Sequence, residues 1–257
     1  MTLTSERPAA AAAVRIPQYT RGAVAGVWAA AALPMAALSW LVAPRLASSL
    51  SGPAALPRAL VACLLVGLVW QFALVLGLVG LEQRTLRWAT LREALWLRAP
   101  RSPRTGRPAG LLWLLVLPLV AATWVEHLVP KPLLPADRDM GLFLGSDAGR
   151  DFLHGNWTWF AVIVALFLFN TVLGEELLFR SLLLPRMNGA FGDRDWLVNG
   201  VGFALYHLHE PWAMPAALLD TFVLAYPTKR YRSALLGIAV HSMQTVFFVV
   251  ILLAVVL

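Results

Sequence analysis

Two adjacent carboxylates, Glu175 and Glu176, interrupt an apolar stretch that reads Leu173-Gly174-Glu175-Glu176-Leu177-Leu178-Phe179-Arg180. No charged residue occurs between Gly155 and Gly174. A carboxylate at bilayer depth costs roughly 2.5 to 3.5 kcal/mol on insertion scales, so two side by side mark a functional site by default. Glu176 and Arg180 are spaced i, i+4 and can pair on one helix face. Glu175 points about 100° away on a helix of 3.6 residues per turn, which leaves it free to activate water. Two further apolar segments carry imidazoles: Phe203-Ala204-Leu205-Tyr206-His207-Leu208-His209 and His241-Ser242-Met243-Gln244-Thr245. His207 and His241 are suited to orient a water and move a proton. Thr245, one turn beyond His241, offers a hydroxyl to an oxyanion. Together these groups describe water attack on a carbonyl inside a membrane cavity.

Each residue alone has a blander role. Glu176 and Arg180 suffice as a structural ion pair, His241 as interhelical glue, and His207 as part of an interfacial cluster with His209 and Glu210. Their order and common depth favour one shared site. At a rise of about 1.5 Å per residue, Glu175 lies roughly 14 Å, His207 roughly 16 Å and His241 roughly 10 Å from the expected cytoplasmic ends of their helices.

The elements that must hold these groups are membrane helices. Hydrophobic residues make up 59% of the 257-residue chain and charged residues only 14%, and several uncharged stretches approach the ~20 residues that span a bilayer. The expected fold is an all-α polytopic transmembrane bundle of about seven spans: 22–43, 59–81, 109–129, 157–184, 196–209, 212–227 and 234–257. Pro34 and Pro118 are expected to kink the first and third. The apolar stretch after Arg7, Arg15 and Arg21 is too long for a signal-peptide core, so it reads as an uncleaved first span. The single cysteine, Cys63, excludes an intrachain disulfide.

The net charge of +7 reads as loop arginine rather than a nucleic-acid surface, because no basic stripe accompanies a soluble domain. With the N-terminus inside, cytoplasmic segments hold sixteen basic residues and the opposite face holds five: Arg45, Arg58, Lys131, Arg138 and Arg150. This asymmetry predicts a cytoplasmic N-terminal tail (1–21) and an extracytoplasmic C-terminus. Between them come accessory helices (22–129) with a basic cytoplasmic loop (82–108), an extracytoplasmic loop (130–156) and a catalytic membrane core (157–257). Residues 82–98 are expected to form an interfacial amphipathic helix or a solvated basic loop. Lysine occurs only at 131 and 229 against nineteen arginines, which points to a GC-rich coding sequence and a bacterial plasma membrane.

Glu175-Glu176-xxx-Arg180, then Phe203-xxx-His207, then His241-xxx-Thr245 resembles the CPBP family of intramembrane endopeptidases (CAAX protease and bacteriocin-processing, also called Abi). The resemblance covers roughly 157–250 and implies a four-helix catalytic core. It implies that Glu175 activates the water, that Glu176, Arg180 and Phe203 support the site, and that His207 and His241 flank the reacting water. The family's third motif usually ends in asparagine, where this chain has Thr245. The implied substrate is a membrane-associated peptide or protein within the lipid bilayer.

A metal-free glutamate mechanism is the favoured reading. Glu175, His207 and His241 are the alternative zinc set, with an open position for water. No H-E-x-x-H pair occurs. Two other function classes stay open: a non-catalytic scaffold or bacteriocin-immunity protein, and a proton-coupled transporter, against which the absence of inverted repeats counts.

Overall fold

The computed structural model describes residues 14–130 and 138–257. Arg7 and Lys131, both used in the charge count, lie outside the described residues. Among the described residues the chain is helical, with no strand beyond an isolated bridge between Arg101 and Pro108. Five helices are long and apolar enough to cross a membrane: α1 (Arg21–Ala47), α2 (Ala55–Gln83), α4 (Gly110–Leu128), α5 (Trp157–Arg186) and α8 (Ala234–Val256). A short helix, α3 (Trp88–Ala94), follows α2.

The fifth and sixth expected spans fall on shorter elements than the other five. Residues 195–231 form a helical hairpin of α6 (Asp195–Tyr206) and α7 (221–231), joined by a tight turn at His207–His209 and a single helical turn at Met214–Ala217. Twelve residues of helix rise only about 18 Å, against a hydrocarbon core of about 30 Å. Neither arm is among the helices long and apolar enough, by length and composition, to cross a membrane. The hairpin is held inside the bundle, where Phe203, Tyr206, Leu224 and Ala225 are fully buried.

Tryptophan indoles stitch the hairpin and α2 to α1. Pro34 has no N–H, so the carbonyl of Ala30 loses its helical partner. The Trp70 indole of α2 donates to that carbonyl at 2.8 Å. Trp28 donates to the Gly202 carbonyl and Trp40 to the Leu208 carbonyl, both at 2.8 Å. Small residues let the crossings close. A Cβ on Gly200 would lie 2.2 Å from the Thr221 hydroxyl, and one on Gly174 would lie 3.0 Å from the Leu68 side chain.

The expected amphipathic stretch 82–98 is shorter and less lipid-directed than its pattern suggests. α2 continues to Gln83, Arg84 turns left-handed (φ 57°), and only 88–94 is helical. Ala94, Leu95 and Trp96 are buried against the protein body. Arg186 explains the docking: its guanidinium donates to the Ala94 carbonyl at 3.1 Å and to both carboxylate oxygens of Glu82. Tyr19 also donates to Glu82 and its backbone N–H meets the Arg186 carbonyl, so the N-terminal segment is pinned at this same end. Burial and the Glu82 hydrogen bond push the Tyr19 hydroxyl above its ordinary range.

The two ends of the bundle are thereby defined. Segments around 14–20, 84–107, 186–194 and 229–234 gather at one end. At the other, the Gly155 N–H donates to the Val256 carbonyl, and Met140 packs on the cluster around Cys63.

Candidate functional site

The glutamate pair sits in the middle of α5, whose ladder widens twice, to i→i+5 bonding over Phe169–Gly174 and again over Leu177–Leu183. Such π turns turn side chains away from the straight helical stripe and recur at functional sites. Here they flank Glu175 and Glu176 on both sides.

Glu176 and Arg180 have no exposed surface. Arg180 Nε lies 3.7 Å from Glu176 Oε1, an ion pair rather than a hydrogen bond, and its guanidinium stacks 3.9 Å above the Phe203 ring. This accounts for an arginine deep in the bundle: one carboxylate and an aromatic face replace its water. The Nδ1 of His241 approaches Glu176 Oε1 at 3.2 Å. A carboxylate accepts, so Nδ1 carries the proton and Nε2 is turned outward. Gly237 makes room for this trio, since a Cβ there would lie 3.0 Å from Glu176 Oε2 and 2.8 Å from the Thr228 hydroxyl. The predicted division of labour between the two glutamates therefore has a geometric counterpart, with His241 added on the Glu176 side.

His207 follows the same logic. Its Nδ1 is 3.0 Å from the Phe203 carbonyl, an acceptor only, which leaves Nε2 as the lone-pair nitrogen. The ring meets Phe203 edge-on and stacks on His209, with centroids 5.5 Å apart.

Two cavities of about 210 and 220 Å³ meet at this point. Asn170, Glu175 and His207 line both. The first continues past Leu68, Met35 and Met140; the second holds Glu126, Asp220, His241 and Gln244. Glu175, His207 and His241, drawn from α5, α6 and α8, thus share one cavity wall. The cavities lead toward the end of the bundle that carries Glu126, His127 and Met140, away from the arginine-rich loops.

Thr245 stands apart from the other site residues. It lines neither cavity, and its hydroxyl donates to the His241 carbonyl at 3.4 Å. Gln244, its neighbour in sequence, lines the second cavity beside the carboxyls of Glu126 and Asp220.

Tyr206 has no role in the sequence reading. Its hydroxyl is fully buried and accepts from Gln71 Nε2 at 2.6 Å. A Gln71–Tyr206 bond therefore ties accessory helix α2 to α6 beside the candidate catalytic carboxylate. The signal is Gln71, a lone amide in the apolar stretch between Arg58 and Glu82 of α2; Asn170 offers a similar signal in α5. Among the described residues, no group of three or more His, Cys, Asp or Glu side chains is arranged to hold a metal ion. The Nδ1 of His241 is committed to Glu176 and that of His207 to a carbonyl, which leaves Nε2 of each ring as its lone-pair nitrogen.

A polytopic helix bundle with ionisable side chains around a cavity at mid-helix depth defines an integral membrane protein with an internal polar site. Residues 156–247 match the family model described as type II CAAX prenyl endopeptidase Rce1-like. The match runs from the start of α5 into α8 and includes Glu175, Glu176, Arg180, Phe203, His207 and His241. It bears out the family resemblance read from those residues, while α1 to α4 lie outside it. No curated protein and no solved structure matches the chain.

Proposed function

We propose that the protein is an intramembrane endopeptidase that hydrolyses a peptide bond of a membrane-associated protein or peptide with a water activated by Glu175. The family match supports endopeptidase activity of the CAAX type in general. The single observation that carries the finer reading is the cavity wall shared by Glu175, His207 and His241.

In this mechanism Glu175 takes a proton as water oxygen bonds to the carbonyl carbon. His207 Nε2 accepts the other water hydrogen and fixes the attacking lone pair. The proton taken by Glu175 passes to Nε2 of the His241 ring, oriented by Glu176 at Nδ1, and from there to the amine as the C–N bond breaks, in the manner of an imidazole held by a carboxylate. The Gln244 amide is the α8 side-chain donor nearest this role for the oxyanion; Thr245 would have to release the His241 carbonyl first. No step requires a metal ion.

The test is cleavage of a membrane-associated peptide by purified wild type, Glu175→Ala and His207→Ala. Abolished turnover in both variants, with unchanged thermal unfolding, supports the reading; equal turnover in all three overturns it. The position of Thr245 favours a second reading, a scaffold or immunity protein whose motif is structural. That reading expects Glu175→Gln to retain the cellular phenotype.

A further inference from the structure

At the end of the bundle remote from the cavities, a second concavity of about 470 Å³ is walled by Arg98, Arg101, Lys229, Arg230 and Arg232. A water occupies about 30 Å³ of liquid, so this space holds a substantial group. Its cations are unevenly compensated. Arg98 pairs with Glu93 at 3.1 Å and Lys229 pairs with Asp195. Arg101, Arg230 and Arg232 have no carboxylate partner among the described residues. The Arg101 Nε is buried and makes no hydrogen bond.

The wall is built rather than fluid. Residues 100–109 fold into a hairpin, with Ser102 N–H donating to the Arg107 carbonyl, Ala109 N–H to Pro100, and Arg101 Nη1 to Gly106. That hairpin is stapled to the α7–α8 turn: the Arg101 N–H donates to Tyr231, Arg98 Nε to the Arg232 carbonyl, and the Ser233 hydroxyl to Arg98. Backbone bonding thus holds like charges close. Burial and the neighbouring Arg101 and Arg232 cations push the Arg98 guanidinium below its ordinary range. An arrangement that concentrates repulsion around an open concavity is stabilised by an anion of matching donors, and guanidinium forks match phosphate oxygens.

We propose that this basic concavity binds a phosphate-bearing anion, with the headgroup of an anionic phospholipid as its source at the membrane surface. Trp88 and Leu86, both largely exposed beside it in sequence, extend the same end toward lipid. The site is independent of the peptidase reading.

The test measures thermal unfolding of the detergent-solubilised full chain with phosphatidylglycerol, phosphatidylcholine or inorganic pyrophosphate. Native mass spectrometry counts retained lipid in parallel. The variants are the double substitution Arg230→Gln/Arg232→Gln, whose side chains make no hydrogen bond or ion pair among the described residues, and Arg104→Gln, a charge loss in the same hairpin outside the concavity. Phosphatidylglycerol is expected to raise the unfolding midpoint by several degrees in wild type and Arg104→Gln, with affinity roughly tenfold weaker in the double variant. An equal rise with pyrophosphate identifies a free anion as an occupant of the same site. No rise with either, or the same rise in all three proteins, overturns the proposal.

Discussion

Glu175 and Glu176 are neighbours in the chain and opposites in environment. Glu176 is bound on two sides, by Arg180 and by His241, so removing its charge strands a buried guanidinium. Glu176→Ala is expected to cost about 3 to 5 kcal/mol, as for other broken buried pairs, read as a large fall in unfolding midpoint. Glu175 faces the cavity, so Glu175→Gln should leave that midpoint within experimental scatter and reduce turnover by roughly 10² to 10⁴, the span of general acid–base contributions. Similar destabilisation by both variants would contradict this division. Tyr206→Phe separates positioning from chemistry. Losing the hydroxyl leaves the Gln71 amide unsatisfied and removes a buried polar group beside Glu175. The expectation is a fall in kcat of about tenfold at unchanged KM, with about 1 to 3 kcal/mol lost from stability. A change in KM alone would assign Tyr206 to substrate contact instead.

At the scale of elements, the bundle depends on close crossings and on repaired backbone. Gly200→Val would drive two methyls into Thr221, where the Cβ alone is already too close. It is expected to cost about 1 to 3 kcal/mol or more as overpacking and to displace α6, and with it His207. Trp70→Phe tests the repair at Pro34, since it leaves the Ala30 carbonyl unmatched in a setting without water. Its expected cost is about 1 to 3 kcal/mol in detergent unfolding, and no loss would mean that the carbonyl finds another donor. These dependencies also explain what could be read in the sequence. The five long helices follow from uninterrupted hydropathy, and Glu176–Arg180 follows from i, i+4 spacing, so both were legible. The hairpin's short arms are not legible, because its apolar content matches a span while its length does not. The π turns of α5 leave no mark in residue pattern. Gln71–Tyr206 and Glu82–Arg186 join residues 135 and 104 positions apart, and no local period reports such partners. Thr245 was assigned a donor role from spacing on an ideal helix, but a hydroxyl on a helix commonly donates back to its own i−4 carbonyl, as this one does.

For the whole molecule, the two ends have opposite chemistry. One gathers the arginine-rich hairpin, the α7–α8 turn and the Glu82–Arg186 network; the other receives the cavities that lead from Glu175. We propose that the excess of positive charge orients the first end toward the cytoplasm. Five crossings with an inserted hairpin and seven crossings return the same sidedness, N-terminus inside and C-terminus outside, because a hairpin that enters and leaves by one face changes no parity. On this proposal the cavities face the extracytoplasmic half, so substrate segments would reach Glu175 from that side. Cysteine accessibility distinguishes the alternatives. In a Cys63→Ala background, single cysteines replacing Arg104, Ser146 and Gln244 would be labelled in intact cells with a membrane-impermeant maleimide. Ser146→Cys is expected to react from outside and Arg104→Cys only after lysis. Gln244→Cys should react slowly from outside, and faster than a cysteine at lipid-facing Val250. Reaction of Arg104→Cys in intact cells would invert the topology. Labelling of Gln244→Cys only after lysis, with Ser146→Cys still external, would show that the cavity opens to the cytoplasm through a path closed in this conformation.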